Sequence, residues 1–228
     1  ANTAELHAAL PNLARAFDLA GLYREAATTW QSTLAEWGQS QLGGQVPAIA
    51  HKAAAPRQPL TAATPLWIQL QIEMARMQRI LGDHAQATLC AEAALAQLLP
   101  DRTELIPLRV AALQQLGIAH YRQGDHAAAL PLLEEAVHLA QQSTETRLTA
   151  DCLLSLGEVQ MYQGDNAAQQ SFAAALARYR HCADRRGEGA ALHSLGLFAH
   201  MRSEFTEGKR WFEEALRIHR TCLLYTSP

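Results

Sequence analysis

Apolar positions recur along this chain at the spacing of one helix face, in blocks of about 40 residues. Three blocks contain the same segment, Leu-x-x-Leu-Gly, which begins at Leu113, Leu153 and Leu192. Apolar residues that recur every three to four positions mark the buried face of a helix. Alternation of apolar and polar residues is absent, and 44 of the 228 residues are alanine, the best helix former. The pattern therefore predicts helices and no strands.

A turn signal, Gly-Asp, follows the Leu-x-x-Leu-Gly segment at a fixed place. The signal begins at Gly124 and Gly164, occurs earlier at Gly82, and is replaced by Ser203-Glu204 in the last block. Glycine there can end a helix in the left-handed conformation, and the aspartate can then cap the next helix. A period in the range of about 20–50 residues indicates stacked supersecondary units. Each block is therefore predicted to be a pair of helices.

The pattern predicts ten helices, at about 5–20, 23–37, 65–81, 84–98, 103–122, 126–142, 146–162, 166–181, 185–201 and 205–220. Pro107 and Pro131 fall within two of them, where proline should bend the helix or loosen it locally. Gly117, Gly157 and Gly196 lie within helices, where glycine is unfavourable. Their recurrence predicts that the second helix of each pair approaches closely.

The domain boundaries follow from interruptions of this pattern. Residues 64–221 form four repeats, at about 66–99, 103–142, 146–181 and 185–220, and residues 1–37 form a divergent N-terminal pair. The segment 38–63 is rich in Gly, Pro and Ala, which predicts a flexible insertion or linker. The last seven residues, 222–228, break the helical pattern. They match the translation of a transposase end sequence used to prepare DNA libraries, so we expect a non-native, adapter-derived tail on a fragment of a longer, environmental protein.

These residues resemble the tetratricopeptide repeat (TPR) family. The family pattern combines Leu-Gly, Gly-Asp and then a small, a bulky and a small residue, which here are Ala129, Leu133 and Ala136. The period near 40 is longer than the usual period of about 34 residues. The resemblance implies an all-α fold, a right-handed α-solenoid of antiparallel helix pairs whose first helices line a concave groove.

The resemblance also places a partner-binding groove on the first helices of the pairs. Its predicted residues are Arg76, Arg79, Gln114, Tyr121, Arg122, Glu158, Met161, Tyr162, His193, Leu197 and His200, and the same mapping reaches Met201. Tyr, Met and Arg side chains suit a protein partner, because they supply adaptable contact area. The alternative is that about half of these residues only pack between repeats.

Composition and motifs argue against most functions other than protein binding. The net charge of −3, without a basic run, does not favour nucleic acid binding, and no apolar run is long enough to span a membrane. The four cysteines lack metal-site spacing, which indicates reduced thiols in a cytoplasmic protein. No phosphate-binding loop is present. We therefore predict no cofactor, no metal and no enzymatic activity.

The favoured hypothesis is a non-catalytic interaction or sensor module of a larger bacterial regulator. Repeats of this length and composition are similar to the helical sensor regions of LuxR-type and related signal-transduction ATPases. The segment 10–17 resembles an Asn-Leu-x-x-Ala motif found there. The partner would be a protein, a peptide or another domain of the parent chain. The alternative is a stand-alone TPR scaffold that binds peptides or partner helices.

Overall fold

A computed structural model describes residues 64–98 and 103–224, together with the isolated helical positions Glu25, Thr28 and Ser32. Apart from these three positions, the predicted N-terminal pair and the 38–63 segment lie outside the described residues. The same is true of the last four residues of the predicted tail.

Eight α-helices and no strand occur in the described ranges. They are α1 (Thr64–Leu81), α2 (His84–Leu95), α3 (Ile106–Arg122), α4 (His126–Ala140), α5 (Thr146–Tyr162), α6 (Ala167–His181), α7 (Arg185–Met201) and α8 (Phe205–Leu224). The predicted all-α fold of helix pairs is confirmed, and most helix bounds lie within three residues of the sequence prediction.

Two local expectations were wrong. Pro107 lies in the first turn of α3, after a short 3-10 helix at Thr103–Leu105, rather than inside a helix. Proline is favoured in that turn because its missing N–H has no intrahelical partner there, so no bend is required. At the other end of the chain, α8 continues to Leu224. The helix therefore does not break at residue 222, although Pro131 does lie inside α4 as predicted.

The chain divides into two compact units, Ala1–Gly124 and Asp125–Pro228. In the first unit, α1, α2 and α3 pack against one another. In the second unit, the pairs α5/α6 and α7/α8 have the most extensive contacts, α4 packs against α5, and α7 packs against both α5 and α6. The second unit therefore contains two complete, successive helix pairs.

The turns between paired helices have the conformation that the sequence predicts. The φ angles of Gly82, Gly124 and Gly164 are 87°, 84° and 74°. Two further turns use residues other than glycine, because Ala183 has φ 55° and Ser203 has φ 63°. A left-handed residue therefore ends five of the described helices, and two of these residues carry the strain of a side chain.

Aspartates after these turns cap the helices that follow. Oδ1 of Asp83, Asp125 and Asp184 accepts a hydrogen bond from the backbone N–H three residues later, at 2.9–3.0 Å. Asp165 differs because its Oδ1 accepts from the N–H of Ala167, two residues later, at 2.9 Å. Each bond satisfies one of the N–H groups that a helix start leaves without a partner.

The close approach predicted at the helical glycines is confirmed in both complete pairs of the second unit. A methyl group at Gly157 would lie 2.6 Å from Cε1 of Phe172, and one at Gly196 would lie 2.6 Å from Cε1 of Phe212. The contact is made by the bulky residue of the pattern, rather than by the alanines on either side of it. Each glycine thus provides space for an aromatic ring from the partner helix.

Candidate partner-binding surface

In the first unit, the predicted groove arginines already make contacts within the chain. Nε of Arg76 lies 3.0 Å from Oε2 of Glu73, one turn earlier in α1. Nε of Arg79 donates to Oε1 of the buried Gln115 at 3.2 Å, which joins α1 to α3. These two guanidinium groups therefore contribute to the packing of the first unit.

The remaining predicted residues of the first unit lie on α3. Gln114 and Tyr121 are half-buried, whereas Arg122 is exposed. The guanidinium carbon of Arg122 lies 5.4 Å from the centroid of the Tyr121 ring, within the range of a cation–π contact. The end of α3 thus presents an aromatic ring beside a positive charge.

In the second unit, the predicted residues of α5 differ in exposure. Met161 is only 5% exposed and belongs to the interior, and Glu158 is half-buried. Tyr162 is 61% exposed, and its ring is parallel to that of His126, with centroids 6.2 Å apart. Only Tyr162 of these three presents a large accessible surface.

The predicted residues of α7 separate onto two sides of that helix. The ring of His193 lies 5.4 Å from that of Phe212, and the ring of His200 lies 5.4 Å from that of Phe205, so both histidines face α8. Leu197 is 37% exposed and Met201 is 58% exposed. The two histidines therefore contact α8, whereas Leu197 and Met201 are exposed on α7.

A stripe of exposed side chains crosses α5 and α7. Leu197 and Met201 follow Glu158 and Tyr162 by one repeat, so these residues occupy equivalent positions on two helices that contact each other. Three of the four are large and apolar or aromatic, with at least 37% of their surface exposed. We call these four residues the α5/α7 stripe.

A polar cluster that the sequence pattern did not reveal joins α5, α6 and α7. The Tyr179 hydroxyl donates to Oδ1 of Asp151 at 2.6 Å, and its ring lies directly against Gly187. Arg147 pairs with Oδ2 of Asp184 at 3.0 Å and lies 3.9 Å from Oδ2 of Asp151. Burial raises the pKa of Asp151, although the Tyr179 bond and Arg147 oppose that shift. Burial and the Asp151 charge raise the pKa of Tyr179.

A second cluster joins α6, α7 and α8. The Glu188 carboxylate, whose side chain is 6% exposed, pairs with Arg180 at 2.9 Å and with Arg185 at 2.5 Å. Arg180 also reaches Oε1 of Glu214 at 2.7 Å. The carboxylate is buried but has two positive partners, which offsets the cost of removing its charge from water.

The described residues show no candidate metal site. They contain no group of three or more His, Cys, Asp or Glu side chains that could hold a metal ion. Burial raises the pKa of Cys90 to about 11 and that of Cys152 to about 12, so both remain thiols at neutral pH. Within the same described ranges, none of the helices has the length and apolar character needed to cross a bilayer.

Known proteins share the fold at low sequence identity. Residues 109–143 match the tetratricopeptide repeat family, and no curated protein matches the chain. A Podosopora anserina protein described as a kinesin light chain with nearly identical TPR-like repeats is 18% identical, with a TM-score of 0.61 over 97% of this chain and 98% of that one. BtubC (BKLC) from P. vanneervenii is 17% identical, with a TM-score of 0.62 over 95% of this chain and 80% of that one.

The structure of MamA is also similar. It is 18% identical, with a TM-score of 0.51 over 69% of this chain and 81% of that one. At these identities the similarities describe architecture alone. Residues 109–143 are similar to a tetratricopeptide repeat, and the fold is that of TPR-like helix-pair repeats.

Proposed function

We propose that this chain is a non-catalytic interaction module that binds a protein or peptide along the α5/α7 stripe. The observation that carries the proposal is the exposure of Tyr162 at 61%, Met201 at 58% and Leu197 at 37% at equivalent positions of neighbouring helices. Apolar surface clustered in this way is typical of binding sites. Stacked helix pairs present extended surfaces of this kind to their partners.

The chemistry of the stripe favours a partner with apolar side chains. Met and Tyr provide adaptable contact area and often carry a large share of interface energy. Glu158, the fourth residue of the stripe, is half-buried. An extended peptide or an amphipathic helix could present apolar side chains to this stripe. In the first unit, Tyr121 and Arg122 are proposed as additional contacts.

We further propose that the module belongs to a larger bacterial ATP-dependent regulator, in the cytoplasm. The resemblance of the repeats and of segment 10–17 to the sensor regions of such regulators supports this proposal. Partner binding would then shift the population between restrained and active assemblies. A stand-alone scaffold would use the same stripe. The DNA that flanks the coding segment distinguishes the two hypotheses, because a nucleotide-binding loop upstream would support the regulator.

The stripe is tested by capturing a partner with the chain as bait and measuring its affinity for single variants. Tyr162→Ala and Met201→Ala should each weaken binding by about fivefold or more, which corresponds to about 1 kcal/mol. Tyr121→Ala tests the contribution of the first unit. Glu134→Ala, an exposed change on α4, is the matched control. Normal binding by both stripe variants, with weaker binding by the control, would show that the partner uses another surface.

A further inference from the structure

The four methionines of the chain differ in exposure. Met74 and Met77 are 0% exposed and Met161 is 5% exposed, whereas Met201 is 58% exposed. All four lie within the described ranges. Met201 is therefore the methionine whose thioether is open to a reagent in solution.

The exposure of Met201 is a property of its position in the repeat. Tyr162 occupies the equivalent position one repeat earlier. It is 61% exposed, although α7 packs against both α5 and α6. A helix pair that follows in the stack therefore leaves this position accessible.

Met201 is also part of the α5/α7 stripe. Leu197 lies one turn before it on α7 and is 37% exposed, and Tyr162 lies on the contacting helix α5. The thioether contributes polarisable, apolar contact area to this surface. A chemical change at its sulfur atom would therefore alter the surface that the proposed function uses.

Hydrogen peroxide oxidises the thioether of methionine to a sulfoxide. The sulfur lone pair forms a bond to one peroxide oxygen, and the O–O bond breaks. The departing oxygen takes up the proton of the first oxygen and leaves as water, so the sulfur is oxidised and the peroxide is reduced. The sulfoxide is polar, whereas the thioether is apolar, and reductases can reverse the reaction.

We propose that Met201 is a site of reversible oxidation by peroxide, and that its sulfoxide lowers the affinity of the α5/α7 stripe for apolar side chains. The proposal rests on the proposed function, because it takes the stripe as the binding surface. Burial withholds Met74, Met77 and Met161 from the same reagent. Oxidation would therefore act on the stripe and leave the packed interior unmodified.

The site is tested by exposing the intact chain to dilute hydrogen peroxide and following each methionine by peptide mass spectrometry. Met201 should be oxidised at least about tenfold faster than Met161 and the methionines of α1, because these are buried. In concentrated urea, where the chain is unfolded, the four rates should become similar. Equal rates in the folded chain would overturn the assignment of the site.

The effect on the stripe is measured by the retention of the chain on a column of immobilised phenyl groups, which represent the apolar side chains of a partner. The oxidised chain should elute earlier than the untreated chain, and methionine sulfoxide reductases should restore its retention. Met201→Leu is the matched control, because leucine is apolar and of similar size but has no sulfur. The same peroxide treatment should leave the retention of this variant unchanged, although its cysteines are still present.

The proposal fails if complete oxidation of Met201 leaves the retention unchanged, or if Met201→Leu shifts as much as the original chain. The captured partner separates this failure from failure of the proposed function. Weaker binding by Met201→Ala, together with normal binding by the chain oxidised at Met201, would refute the oxidation effect alone. Normal binding by both Met201→Ala and Tyr162→Ala would refute the stripe itself.

Discussion

Replacement of Gly157 by alanine sets helix propensity against close packing. Alanine is favoured over glycine within a helix by roughly 1 kcal/mol, so an unconstrained site would gain stability. At Gly157 the new methyl group would lie 2.6 Å and 2.7 Å from two carbon atoms of the Phe172 ring. That ring is 0% exposed and is enclosed by the packed helices of its unit. Overpacking of this kind typically costs about 1–3 kcal/mol. The net prediction is a loss of about 0–2 kcal/mol.

Gly196→Ala is the matched control, because the same methyl group would lie 2.6 Å from Cε1 of Phe212. Phe212 is half-buried and lines an open hollow beside Phe205 and Leu216, so its ring can move towards solvent. We expect the free energy of unfolding to change by no more than about 1 kcal/mol, in either direction, with propensity offsetting the remaining strain. The two chemically identical substitutions should therefore differ by about 1 kcal/mol, with Gly157→Ala the less stable.

The assay is urea unfolding monitored by circular dichroism. The slope of the free energy of unfolding against urea concentration is compared between variants. A double-mutant cycle with Phe172→Leu isolates the contact, because the smaller side chain should reduce the cost of Gly157→Ala. If both alanine variants gain stability equally, or if the cycle shows no coupling, the glycine is not required by the Phe172 ring and the reasoning is refuted.

Three further predictions concern the caps, the Asp151 carboxyl group and the thiols. Asp184→Ala removes the hydrogen bond that caps α7 and the ion pair with Arg147, and should lower the free energy of unfolding by about 1–2 kcal/mol. An unchanged urea midpoint would contradict the capping role. Because burial raises the pKa of Asp151 above 3.8 in the fold, the stability contributed by its protonation is lost as pH rises through the folded pKa. Asp151→Asn should therefore gain stability relative to the original chain between pH 4 and 7, and thermal melts that keep a constant difference across this range would exclude the effect. At pH 8, iodoacetamide should label the exposed Cys182 in the native state and leave the buried Cys90 and Cys152 unmodified, which mass spectrometry of peptides can test.

Most of the fold could be predicted because its signals are local. A Gly-Asp dipeptide sets the turn and the cap within four residues, so the start of α4 and the end of α5 follow from the sequence. Pro107 was misplaced because the short 3-10 helix before α3 moves the helix start to Ile106.

The sequence pattern assigns the candidate residues to the first helices of the pairs, but it does not determine their exposure. Met161 and His200 are equivalent in the repeat, yet Met161 is 5% exposed and His200 is exposed. Exposure depends on whether another helix covers the position, which is a property of the assembled unit. The bond between Tyr179 and Asp151 joins residues 28 positions apart, and the repeating pattern does not pair them. Such a pair becomes visible only when the helices are placed in space.

The side chain of Tyr179 makes this part of the chain less modular than its repeating sequence suggests. It belongs to α6, yet its hydroxyl is held by α5 and its ring occupies the space that Gly187 leaves on α7. A helix pair inserted after α6 by recombination or by design would have to carry glycine at that one place, or the ring would have to leave its site. The segment that can be exchanged as a unit therefore extends from α5 through the first turn of α7. Its C-terminal boundary falls inside α7 rather than at the turn between two repeats.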